Sequence, residues 1–399
     1  MAAAAEFVSR LDRVAAPRIY PAQPEFEALL ACCRQIAEVC PRDWLSPREL
    51  NWEKFIELAE NQRVIPQVYR ALEPYSTDLP SAPFAILQRK YKENVRNALW
   101  FTQQLARVVR HFDALGIRAI PYKGPVLAET LYGDVAARQY QDLDVLILPE
   151  DVNRAKGALA DLGYSCALNL REEAEPAYLS SGYEYSFDCA SRVHAVELQW
   201  QVLPRFYSVD FDLRSFFARV ESVSVAGCRY LNLCAEDLLL ILCVHAAKHL
   251  WAQISWLLDI SKLVQIQTID WEAVWEQAEE FGIRRIVALN LRLAHDLLGT
   301  SIPDRIHEWL EADGAGLVVG REILMQIRED DGWDTQSLSY FRLMSRIRER
   351  GRDKTRMWWR LLCTPSVSEW DEIHLPKAIF RFYPFVRLLR LAKRFAVAN

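Results

Sequence analysis

The chain has 399 residues, with 48 Lys and Arg against 53 Asp and Glu and a formal net charge of −5. Half of it is apolar (51%) and a quarter charged (25%), which excludes disorder on compositional grounds and disfavours a generally basic nucleic-acid binder, so that any basic patch must be local. At roughly 150 residues per domain, two or three units are expected. Only 14 glycines occur, which points to a helix-rich chain. No apolar stretch reaches the roughly 18 residues of a membrane span; the nearest, residues 238–247, is stopped by Lys248. Residues 1–10 lack the basic lead and apolar core of a secretory signal. Nine cysteines, an odd number without a Cys-x-x-Cys pair, fit reduced thiols in a cytoplasmic protein better than a disulfide framework or a zinc site.

Up to about residue 90 the pattern is helical. Phe26, Leu29, Leu30, Cys33, Ile36 and Ala37 recur at helical spacing, as do Trp52, Phe55, Ile56 and Ala59. Pro41, Pro47 and Pro66 are expected breaks, and residues 74–83 the first linker. A long helix is predicted over residues 84–115, stopped by Gly116. A short apolar strand over 117–122 then meets Lys123-Gly124-Pro125 and a short helix ended by Gly133, with Pro125 suited to a first helical turn. Residues 141–148 read as a strand with acids at its start and an apolar continuation covered on both faces. Asp151 is placed to cap a helix running to Gly163, and residues 183–187 and 193–200 are two further strands. Residues 117–232 thus form a small α/β or α+β unit. Beyond it, residues 238–264 and 271–298 are helical, and the basic residues crowd towards the end of the chain. Residues 342–360 hold eight basic and two acidic side chains, and residues 377–399 hold six basic and none acidic.

Asp142 and Asp144 are two apart on the predicted strand, so their carboxylates share a face. Two like charges beside Val, Leu and Ile repel one another and resist desolvation, which a divalent cation relieves; the plain alternative is a pair of surface acids at a strand end. Lys123-Gly124 lies between a strand and a helix start, where backbone N–H groups, the helix terminus and an ammonium can meet a phosphate. Arg138 is placed to bridge to phosphate or to pair with the acids. Glu197 stands in a third apolar strand, sharing a face with Gln199 while Val196 and Leu198 point the other way, and would add a third carboxylate to a two-metal clamp. His245 and His249 have zinc-compatible spacing but no third ligand, so a substrate contact or helix packing is preferred. Lys248 is placed to reach acceptor or triphosphate, and Asp259 either orients one of these groups or is a solvated helix acid.

The string Tyr122-Lys123-Gly124-Pro125, Leu131-Tyr132-Gly133, Arg138, Asp142-Leu143-Asp144-Val145-Leu146 and Leu162-Gly163-Tyr164 resembles the uncharacterised nucleotidyltransferase family of the polymerase β-like superfamily. Val196-Glu197-Leu198-Gln199-Trp200 resembles its third-carboxylate strand. His245, Lys248, His249, Trp256 and Asp259 resemble its helical segment, and Thr364-Pro365, Leu375-Pro376 and the Arg-rich end resemble its tail. Two positions depart from the pattern: Lys-Gly stands where the wider superfamily has Gly-Ser, and Gln199 where the family often has His.

The elements and the resemblance together give the expectation of an α+β, mostly helical protein, with a small mixed β-sheet core (residues 84–232) between an N-terminal helical region (1–83) and a C-terminal one with a basic tail (233–399). The resemblance implies Mg²⁺-dependent (or Mn²⁺-dependent) transfer of a nucleoside monophosphate from a nucleoside triphosphate, ATP first among them, to a hydroxyl of a small molecule, peptide, protein or RNA end. Asp142, Asp144 and Glu197 would hold the metal, Glu197 would help activate the acceptor, and Lys123 and Gly124 would sit on the triphosphate, with Arg138, His245 and Lys248 around it. The competing reading is a non-catalytic nucleotide- or partner-binding module on the same scaffold. The tail is expected to pack its apolar face on the protein with arginines in solvent, with peripheral membrane contact as the second reading.

Overall fold

Residues 24–34, 50–168, 170–171, 173–329, 337–365, 367–373, 380 and 382–397 are described by the structure, a computed structural model. Ile36, Ala37, Pro41, Pro47, Leu375 and Pro376 lie outside these described residues. The apolar spacing gives α1 (Pro24–Arg34), α2 (Trp52–Asn61) and α3 (Ile65–Leu72). Asn51 caps α2 by accepting the Lys54 N–H at 3.1 Å. The break expected at Pro66 falls just ahead of it, between Asn61 and Ile65, and Pro66 itself sits in the first turn of α3, where its missing N–H is not needed. For the same reason α4 (Ser81–Ala114) starts before Pro83 rather than after it, which shortens the expected linker.

The sheet follows. Its elements are β1 (Ala119–Pro121), α5 (Gly124–Tyr132), β2 (Leu143–Ile147), α6 (Val152–Asp161), β3 (Ser165–Cys166), α7 (Glu175–Ser181), β4 (Glu184–Cys189) and β5 (Arg192–Gln199). The strand order is β1-β2-β5-β4-β3, with β2 and β5 parallel and the other pairs antiparallel. β2 is buried along its whole length. Leu143, Val145 and Ile147 join a core with α4 and α6, whereas Leu146 on the opposite face joins a core with the C-terminal helices. Asp144 shares that second face by the two-residue period of a strand. Gln141 and Asp142 precede β2 rather than forming part of it. Asp151 does not cap α6: its carboxylate is engaged by Arg154 at 2.6 Å instead of by a backbone N–H.

Next come α8 (Leu213–Ala218) and the hairpin β6 (Glu221–Val225) and β7 (Cys228–Asn232). Ala226 and Gly227, both at positive φ (48° and 75°), make its two-residue turn. The C-terminal region is α9 (Ala235–Lys248), α10 (Ile254–Ile266), α11 (Trp271–Phe281), α12 (Arg284–Leu298), α13 (Asp304–Ala312), α14 (Gly314–Glu329), α15 (Leu338–Arg346), α16 (Gly351–Cys363), α17 (Val367–Glu372) and α18 (Tyr383–Val397). The helical residues 238–264 fall into two helices, parted around residues 249–253. Leu250 and Trp251 take left-handed backbone angles (φ 57° and 53°), a cost of roughly 1–2 kcal/mol each. Burial of the Trp251 indole and its 2.7 Å hydrogen bond to Asn290 offset it. Residues 271–298 are split in the same way at Gly282 (φ 64°), where an added Cβ would stand 2.2 Å from both Arg350 and Asp353.

One apolar core runs from α1 through Ile120 and Leu146 to Met357 and Leu361, across both expected boundaries at 83 and 232. Arg34 ties α1 to α12 through the Leu297 carbonyl (2.9 Å). The helices before and after the sheet therefore close over one of its faces. No helix among the described residues is long and apolar enough to cross a membrane.

Candidate active site

The register of β2 and β5 pairs Asp144 with Glu197, and neighbours in register on parallel strands point to the same face. On the other side of β2, β1 pairs Pro121 with Val145, which delivers Tyr122 and Lys123 to the same place. The Lys123 ammonium donates to Asp144 Oδ1 at 3.0 Å, with both side chains at most 7% exposed. Gln199 ties the strands together. Its Nε2 donates to Asp144 Oδ1 (3.1 Å), Glu197 Oε2 (3.1 Å) and Glu184 Oε2 (3.3 Å), while its Oε1 accepts from the Tyr122 hydroxyl (2.8 Å). Asp142, just ahead of β2, lies against the Lys123-Gly124 turn: its carbonyl oxygen would be 3.6 Å from a Cβ added to Gly124.

Gly124 opens α5 at φ 57°. A Cβ there has room, its nearest contacts being at ordinary van der Waals distance, so the backbone angle is what demands glycine. Gly124→Ala is expected to lower stability by about 1–2 kcal/mol, read from the urea midpoint; an unchanged midpoint would show that the turn relaxes without penalty. Pro125 follows in the first turn of α5 and contributes no N–H, so this helix start offers an anion fewer donors than an ordinary one.

Four carboxylates crowd this face. Burial, then the charges of Glu184, Asp144 and Asp142, push Glu197 up to about 9. Burial and Asp144 push Asp142 up to about 6, against the pull of Lys123, Arg63 and Arg138. Glu184 is raised by burial, opposed mainly by Lys248. A carboxyl raised in the folded state holds its proton more tightly there than in the unfolded chain. Its stabilisation is complete below the unfolded value and is lost as the pH climbs through the folded one. For Glu197 the window runs from its ordinary 4.5 to about 9, and for Asp142 from 3.8 to about 6. Below about pH 6.5 the lowered His245 and His249 add stability as the pH rises and oppose this loss. Without divalent cations the melting temperature is therefore expected to fall between about pH 7 and about pH 8.5, and Glu197→Gln to flatten the fall. A melting temperature that rises over this range would contradict the crowding.

The C-terminal helices supply the opposite wall. His245 Nδ1 lies 3.2 Å from the Lys123 ammonium. Burial and the Lys123 charge hold His245 well below its ordinary value, so it is neutral and accepts from the ammonium. Burial and Lys248 bring His249 down to about 2, and its ring lies 4.7 Å from that of His245 and 5.1 Å from that of Trp256. The pair thus belongs to a packed aromatic group. Lys248 stands over the Tyr183 ring at 5.1 Å and faces Glu184 electrostatically.

Two expected positions turn out differently. The Arg138 Nε donates to both oxygens of Asp259 (3.1 and 2.9 Å), so this guanidinium is engaged by α10 rather than by Asp142 or Asp144. Asp259 is not a solvated helix acid: it is fully buried and also accepts from the Tyr132 hydroxyl at 2.8 Å. Glu184 is a site residue that sequence reasoning missed, although its signal was present. It alternates with the buried Tyr185 and Phe187 along β4, as Glu197 does with Val196 and Leu198. Arg63 was missed because it acts from the turn between α2 and α3, at φ 53°. Its charge lowers Asp142, and it donates to Gln141 at 3.1 Å. A groove of 530 Å³ opens between that turn and α4, lined by Arg63, Lys90, Arg96, Asn97, Trp100 and Gln141 among others but by none of the four carboxylates.

The crowded oxygens of Asp142, Asp144, Glu184 and Glu197 form a hard, oxygen-rich donor set of the kind Mg²⁺ or Mn²⁺ takes. The donor chemistry fits. The spacing is not preformed: among the described residues no three of His, Cys, Asp and Glu are drawn together to chelate an ion as they stand, and Lys123 occupies Asp144.

Nothing matches the chain among curated proteins or solved structures. A family described as an uncharacterised nucleotidyltransferase matches residues 48–299, that is α2 through the end of α12. The match stops short of Thr364-Pro365 and the basic tail, so the tail likeness read from the sequence lies outside it. It does take in the carboxylate face, the Lys123-Gly124 turn and the helical wall together, and by this match the chain belongs to the uncharacterised nucleotidyltransferase family.

Proposed function

We propose that the protein transfers a nucleoside monophosphate from a nucleoside triphosphate, with ATP the first donor to test, to a hydroxyl of an acceptor. The observation that supports this most is the register pairing of Asp144 with Glu197 beside the Lys123-bearing turn. Asp142, Asp144 and Glu197 would hold a divalent cation, which supplies Lewis acidity and neutralises phosphate charge. Lys123, freed from Asp144, meets the triphosphate as a point charge. Neutral His245 gives Lys123 a second resting partner. The acceptor oxygen bonds to the α-phosphorus as the bond to the β-phosphate oxygen breaks. Pyrophosphate leaves with that electron pair, and the hydroxyl proton passes to Glu197, which accepts it only after losing the proton that burial and Glu184 hold on it in the metal-free site. The groove lined by Arg63 and Gln141 is assigned to the acceptor, because these residues and Asn97 line it with hydrogen-bonding groups and Trp100 adds a flat apolar face.

One observation favours a binding-only reading. Lys123 and Gln199 already engage the carboxylates, as in a site whose acids serve only as ion-pair partners. Incubation of cell extract with the protein, Mg²⁺ and α-phosphate-labelled triphosphates separates the two. Transfer predicts a labelled acceptor and released pyrophosphate; nucleotide binding with neither product would leave the binding module.

A further inference from the structure

The start of the last helix buries an arginine where its sequence offers apolar residues. In α18 the buried positions include Tyr383 and Arg387. The Arg387 guanidinium donates to Glu369 on α17 at 3.0 Å and to the Leu361 carbonyl of α16 at 3.3 Å. Arg390 approaches the same Glu369 at 3.6 Å. Over residues 382–390, where its side chains are described, the chain turns Arg387 and Arg390 towards Glu369 and exposes apolar residues, reversing the expectation from its sequence. Phe382 (42%), Phe385 (60%), Leu388 (39%) and Leu389 (72%) are exposed. On α16, which packs against α18, Trp359 (68%) and Leu362 (37%) are exposed as well. Among the described residues, seven of the thirteen exposed large hydrophobics lie between residues 359 and 389, so this is a concentration and not background scatter.

The charge identifies the occupant. From Ile373 to Asn399 the sequence contains no Asp or Glu, while Lys377, Arg381, Lys393 and Arg394 add positive charge beyond the two arginines at Glu369. On α16, Arg352 is 74% exposed. Two copies meeting through so basic a segment would bring like charges together, whereas an anionic bilayer offers both an apolar interior and a negative surface. Exposed Trp and Phe beside Arg is the composition of a helix lying at a membrane–water boundary. Both helices also lie beyond residue 299, outside the part of the chain that the family shares.

We propose that α16 and α18 form a docking face for an anionic lipid bilayer, entered by Trp359, Phe385 and Leu389. The face works by lying on the surface rather than by crossing it. This inference does not rest on nucleotidyl transfer. The test is flotation of the full chain with vesicles of phosphatidylcholine alone and of phosphatidylcholine mixed with phosphatidylserine. Binding is expected to the mixed vesicles only and to weaken as salt screens the attraction. Phe385→Ser with Leu389→Ser is expected to cut it at least tenfold, and Trp359→Ser to weaken it separately, with unchanged melting temperatures because these side chains are exposed. Failure to float with anionic vesicles, or undiminished binding by the double variant, would overturn the proposal. Salt-insensitive self-association without vesicle binding would also overturn it and assign the face to a second copy.

Discussion

Asp142→Asn combined with Asp144→Asn is expected to lower pyrophosphate release by more than about 10³-fold, because on the proposed reading it removes the charges that would hold a divalent cation and forfeits several kcal/mol of transition-state stabilisation. The fold should survive. Asp142 is raised because it is buried beside Asp144, so neutralising it relieves repulsion. Lys123 loses an ion-pair partner but retains His245. Far-ultraviolet dichroism of the double variant should match that of the parent. If the folded variant keeps full activity, these carboxylates are not the reacting site. Glu184→Gln makes a useful companion, since Glu184 is the largest neighbouring charge acting on Glu197. It is expected to lower the pH at which activity rises while leaving activity at high pH in place.

The second large effect concerns stability. Asp259→Ala leaves the Arg138 guanidinium buried without its counter-charge and removes the acceptor of Tyr132, a loss of roughly 3–5 kcal/mol. Arg138→Met with Asp259→Leu replaces the pair by apolar volume and should recover most of that loss. Denaturant midpoints measure both. The paired variant also separates two roles for Arg138. If the residue only fastens the approach to β2 onto α10, nucleotide affinity is unchanged in the paired variant. A loss matching that of Asp144→Asn would return Arg138 to the triphosphate.

What could be read before any coordinates, and what could not, follows from the range of the interactions. The Asp142-Leu143-Asp144-Val145-Leu146 run declares a strand buried on both faces, and Glu197 declares itself by alternating with Val196 and Leu198. Both signals are local and period-two. The family resemblance rested on the same strings and on the Lys123-Gly124 turn. Long-range partners left no such trace. Nothing in the spacing of Arg138 announces Asp259, 121 residues away. The break at Leu250 and Trp251 contains no glycine and exists because Asn290 receives the indole. Asp151 fits a capping pattern, yet a neighbouring arginine takes its carboxylate. In the tail, amphipathic spacing was visible but its direction was not, since Glu369 decides which stripe of α18 faces inward.

Calorimetric titration with ATP in the presence and absence of Mg²⁺ tests the carboxylate face as a metal-and-nucleotide site most directly. The account predicts saturable binding that requires Mg²⁺, fails in Asp144→Asn and brings the melting temperature at about pH 8 up towards its acid-side value. Binding of equal strength without the metal, or retained in Asp144→Asn, would contradict it.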